Sequence, residues 1–105
     1  MIDIVLKKYP MSVVCAGHAT GAGEKGDNLV CCAVSTLIYT LVEALSAANV
    51  NFSDSMGEGY ADITICPRPA KMFEADTIFQ TIISGLTALA DQNPEYITLR
   101  KEYDD

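Results

Sequence analysis

The chain predicts an α+β fold of two layers in the order ββαββαβ, with two helices packed on one face of a largely antiparallel sheet. Three observations predict it. Short segments near both ends and in the middle alternate apolar and polar residues with the period of a half-buried strand. Two segments of about twenty residues instead place apolar side chains at helical spacing. Between them stand breakers: Pro10, Gly57-Glu58-Gly59, Pro67-Arg68-Pro69 and Asn93-Pro94.

Residues 2–9 set Ile2, Ile4 and Leu6 against Asp3, Val5 and Lys7, and Pro10 stops this first strand. Residues 11–16 follow closely enough to pair back as a hairpin. Residues 18–26 hold three glycines and no large apolar side chain, the composition of an exposed, adaptable loop. Asp27 or Asn28 then serves as an N-cap for a helix over 29–49, apolar enough to be buried on more than one side. Residues 51–58 form a strand leading into the glycine turn. Residues 60–66 return, with Ala61, Ile63 and Ile65 facing one way and Tyr60, Asp62 and Thr64 the other. A second helix spans 70–91, its inward stripe being Ala75, Phe79, Ile82, Ile83, Leu86 and Leu89. Residues 96–103 make the last strand, and Asp104-Asp105 frays.

With 105 residues the chain is read as one domain, 1–105, with a single core. The net charge of −7 argues against direct nucleic-acid binding, which needs basic groups to displace counterions. The most apolar stretch, residues 29–50, is broken by Ser35, Thr36, Thr40, Glu43, Ser46 and Asn49, so no membrane span is expected. Nor does the N-terminus read as a secretory leader. A soluble cytoplasmic protein with reduced thiols is the expectation.

The chemistry concentrates in two places. The sole histidine lies in Cys15-Ala16-Gly17-His18-Ala19, and thirteen positions later Cys31 opens the run Cys31-Cys32-Ala33-Val34-Ser35. An imidazole and a thiol joined by a mobile loop that ends at a helix start are the minimum parts of a cysteine nucleophile with its base. A helix N-terminus and an imidazolium both favour a thiolate, and helix-end amides can hold an oxyanion. Ser35, one turn after Cys31 on the same face, would support the thiol or the helix end. Cys32 points about 100° around the helix from Cys31, so only one of them faces the loop, and the residues alone leave open which. Cys15 and Cys66 read as small buried hydrophobes, and Tyr39 and Tyr60 as core or rim aromatics. With no Cys-x-x-Cys or His-x-x-x-His pair, neither metal nor cofactor is expected.

Gly17-His18-Ala19, a glycine-bearing loop, Gly26 and then Val30-Cys31-Cys32-Ala33-Val34-Ser35 resemble the signature of the ribosomal-processing cysteine proteases called Prp. The small size and element order fit over nearly the whole chain. The resemblance implies that Cys31 is the nucleophile and His18 its base, with Cys32 at a position usually filled by alanine. Asp27 and Ser35 become supporting residues. It also implies a homodimeric endopeptidase acting on a protein, either the N-terminal extension of a ribosomal protein or, for a phage relative, a virion protein. Two departures stand out. The loop is one residue longer than usual, and the family's aspartate position meets Asn28, with Asp27 one place earlier. They motivate a second reading, a non-catalytic binding or assembly module on the same fold.

Overall fold

The computed structural model describes residues 1–17 and 25–103, with 25–28 described through their backbone alone. The elements are β1 (Ile2–Lys7), β2 (Ser12–Gly17), α1 (Lys25–Ala47), β3 (Phe52–Gly57), β4 (Tyr60–Ile65), α2 (Met72–Gln92) and β5 (Ile97–Lys101). A single turn of 3₁₀ helix over Pro69–Lys71 leads into α2. The strands form one five-stranded sheet in the order β3-β4-β2-β1-β5. Only β1 and β5 run parallel; the other three neighbouring pairs are antiparallel. The predicted α+β order and the β1–β2 hairpin are therefore both present.

Strand alternation decides which side of the sheet is covered. Ile2, Ile4, Leu6, Val13, Cys15, Ala61, Ile63, Ile65 and Ile97 are buried on one face. Both helices lie there. α1 contributes Val30, Val34, Ile38, Leu41 and Leu45, and α2 contributes Ala75, Phe79, Ile82, Ile83 and Leu86, all buried. By length and hydropathy the segment Leu29–Ala47 would suffice to cross a bilayer. In this fold its apolar stripe is core, and Thr36, Thr40, Glu43 and Ser46 face solvent. The hydroxyls of Thr36 and Thr40 are satisfied by donating to carbonyls one turn back. α1 is buried on a second side as well: Leu37 lies over Gly85 of α2, where a Cβ would stand 3.1 Å from both Leu37 methyls. The small residue lets the helices approach.

Two expectations need correction. α1 begins at Lys25, so Asp27 and Asn28 sit inside its first turn instead of capping it, and the predicted loop is shortened at its far end. Cys66 is exposed, not buried. It follows Ile65, the last inward residue of β4, so the two-residue period turns it outward.

Phe79 is fully buried and is the largest such side chain. Phe79→Ala is expected to destabilise the protein by about 3–5 kcal/mol in urea unfolding. Phe73→Ala, removing a ring that is 80% exposed, should shift stability by no more than about 0.5 kcal/mol.

Candidate active site

The inward face of α1 meets β2 and the β3–β4 hairpin around a solvent-open groove of about 420 Å³. Cys31, Ser35 and Ile38 line it from the helix, and Cys15 and Gly17 from β2. Met56, Gly57 and Tyr60 close the hairpin side. Cys31 is half-buried beside Val30, which anchors the helix to the core. Cys32, one position on, is exposed to solvent away from this wall. The groove thus faces one of the two adjacent thiols, a distinction that the residues alone left open.

Two thiols line the groove, and burial separates them. Cys15 is 6% exposed, and desolvation pushes its thiol up to about 12, so it stays protonated at neutral pH. A protonated, buried thiol is a packing group. Cys31 is the thiol with access to the open part of the groove.

The end of β2 is tied down where the glycine-rich segment begins. The Gly17 amide donates to the Gly59 carbonyl at 2.8 Å, joining β2 to the hairpin tip. Gly17 has φ +103, and a Cβ there would collide with the carbonyl oxygen of Met1. Glycine is therefore required at the position preceding His18. His18 itself lies outside the described residues, as does most of the glycine-rich loop. Asp27 falls in the first turn of α1, where only its backbone is described, and Ser35 joins Cys31 on the groove wall.

The earlier helix start changes one chemical expectation. Among the described residues of α1, the amides without an intrahelical carbonyl partner are those of residues 25–27. Cys31 lies six residues, about 9 Å, beyond the helix start. The amides beside its sulfur are already engaged in the helix, so they are not the oxyanion donors expected from the sequence. Conversely, the groove recruits residues that sequence patterning gave no chemical role. Tyr39 and Tyr60, read as core or rim aromatics, stand at its rim at 59% and 44% exposed, with Met56 opposite. Their exposure despite large apolar surface is the signal, and it needs coordinates.

A half-buried thiol on a helix, fronting a groove open to solvent, is placed as the nucleophile of a cysteine hydrolase would be. The family model described as "Cysteine protease Prp" matches residues 1–98, and the chain belongs to that family of cysteine proteases. Among solved structures, SMU.848 from Streptococcus mutans is 31% identical, with a TM-score of 0.76 over 95% of this chain and 90% of that one. The essential ribosomal-processing protease Prp from S. aureus, with a covalently linked product peptide, gives a TM-score of 0.82 at 23% identity. That match covers 97% of this chain and all of the other, and at that identity it speaks for the fold. No curated protein matches significantly.

Cys15 provides a pH prediction. Its thiol ionises more readily unfolded, near the ordinary value of 9.0, than folded, at about 12. Its contribution to stability is intact below pH 9 and is lost as pH rises towards 12. Thermal melts of Cys15→Ala should therefore show a shallower decline over that interval than the parent, even if the variant melts lower throughout.

Proposed function

We propose that this protein is an endopeptidase in which Cys31 is the nucleophile and His18 the general base, and that it removes an N-terminal extension from a ribosomal protein. One observation carries the reading: Gly17, the residue immediately before His18, lines the same groove as Cys31 and Ser35. The S. aureus neighbour, described as an essential ribosomal-processing protease, supports the substrate class. A second S. aureus Prp structure, 22% identical, holds a substrate peptide and supports a polypeptide ligand. The same reading makes the protein a cytoplasmic homodimer.

In this mechanism His18 takes the Cys31 proton as sulfur attacks the scissile carbonyl. Collapse of the tetrahedral intermediate expels the amine, which receives that proton. A water activated by His18 then hydrolyses the thioester. Ser35, one turn along the same wall, holds the substrate or the thiol in register, and Asp27 acts from the helix start.

The groove also describes the substrate. Its helix wall runs from Cys31 to Tyr39, eight residues or about 12 Å. That accommodates about three to four residues of extended chain. None of the described lining residues is charged. Against these walls the substrate segment meets apolar and neutral polar side chains.

The test is incubation with large-subunit ribosomal precursors and virion proteins encoded by the same genome, followed by mass mapping of new termini. Cys31→Ala should abolish cleavage without lowering the melting temperature, while Cys32→Ala keeps activity within about twofold. An inactive Cys32→Ala protein would transfer the role to the neighbouring thiol. Cleavage confined to virion proteins would overturn the ribosomal assignment, and no cleavage at all would favour the binding-module reading.

A further inference from the structure

β3 is an edge strand, and among the described residues nothing pairs with its outer side. Five of its six residues, Ser53 to Gly57, are exposed. Natural sheets blunt such edges with proline, lysine, a bulge or a covering element, because unsatisfied main-chain groups recruit other chains. β3 reads Phe52-Ser53-Asp54-Ser55-Met56-Gly57, with no proline, no basic residue and one carboxylate. The opposite edge, β5, carries Arg100 and Lys101.

Hydrogen-bond parity fixes what the open edge presents. The Cys66 amide donates to the Asn51 carbonyl at 2.8 Å, and Phe52 lies opposite Ile65. In an antiparallel ladder, bonded and non-bonded pairs alternate. The bonded pairs are therefore Ser53 with Thr64, Ser55 with Asp62 and Gly57 with Tyr60. Phe52, Asp54 and Met56 turn their N–H and C=O groups outward. Met56 is also a groove residue, and next to it a Cβ on Gly57 would meet nothing within 4 Å. The open edge thus continues, through Met56 and Gly57, into the groove that Cys31 also lines.

We propose that β3 is a docking strand for the substrate: an extended segment flanking the cleavage point adds to the sheet as a sixth strand on the main-chain groups of Asp54 and Met56. The inference rests on Cys31 being the nucleophile. β3 lies two strands, about 10 Å, from β2 at the groove floor. The added strand lies one spacing further out, about 14 Å from β2, so the paired segment is not the scissile peptide and about four residues bridge the two across Gly57. A polypeptide brings the complementary N–H and C=O ladder whatever its sequence. Main-chain pairing then selects for a segment that is extended and not already folded, leaving side-chain selectivity to the groove.

Asp54→Pro tests this directly. Asp54 makes no ladder bond to β4, so proline there removes only the outward donor and leaves the hairpin paired. The probe is an equimolar random dodecapeptide library, with cleavage read as new termini by mass spectrometry and a random hexapeptide library as the short control. Asp54→Pro should cleave dodecapeptides up to about tenfold more slowly than the parent, as expected for losing one main-chain hydrogen bond. Hexapeptide cleavage and the rate of Cys31 alkylation by iodoacetamide should not change. Equal dodecapeptide rates in parent and variant overturn the docking strand while leaving the protease reading intact. A parent that cleaves neither library overturns the protease reading itself. If the variant instead dissociates a dimer without slowing cleavage, β3 joins copies of the chain and the proposal is wrong. Should Asp54→Pro fail to fold, amide exchange in the Cys31→Ala protein decides, using the library peptide cleaved fastest. Slowed exchange at Asp54 and Met56 supports docking, and unchanged exchange overturns it.

Discussion

The site depends on the rotational setting of α1, which the packing of one apolar stripe on the sheet fixes. Val30, Val34, Ile38, Leu41 and Leu45 fall at intervals of three or four and are all buried. Val30 sets the first contact, and Cys31 follows one step around the helix, at the margin between core and groove. A rotation by one residue would bury Cys31 and bring Cys32 to the groove, at the cost of turning every anchor out of the core. The helix is thus held by many contacts of ordinary size, and the sulfur inherits that precision.

The groove itself comes from a mismatch of widths. Five strands at about 4.8 Å span roughly 24 Å, whereas two helices packed 8–10 Å apart cover about four strands. One edge is left over. α2 lies against β5 and α1 against α2, so the uncovered strand is β3 at the far side. The hairpin of β3 and β4 projects beyond α1, and its tip is tied back to Gly17 by a main-chain bond. A cleft with an open sheet edge along its rim results without any dedicated lid among the described residues.

Burial also sorts the chemistry. Two cysteines line one groove, yet desolvation keeps Cys15 protonated while Cys31 meets solvent. The exposed aromatic and thioether rim of Tyr39, Met56 and Tyr60 gives the cleft an apolar character although the chain as a whole carries a charge of −7. Overall charge and local chemistry are independent here, because charged side chains occupy the outer surfaces and the groove lies against the core.

The element order was legible because period is a local property: Ile2, Ile4 and Leu6 on one side of β1, and Ala75 to Leu86 along α2, declare their buried faces without reference to anything distant. Element ends were less legible. The start of α1 at Lys25 overrides the strong capping preference of Asp27 and Asn28, since a cap contributes only about 1 kcal/mol. Residue chemistry alone put forward His18 and the adjacent thiols of Cys31 and Cys32 without ranking the two, which differ only in where the helix axis points them; only the resemblance to the Prp signature favoured Cys31. Which of the two thiols lines the groove, the exposed rim of tyrosines and the open edge of β3 were decided by tertiary packing, because each depends on how the two helices are seated on the sheet.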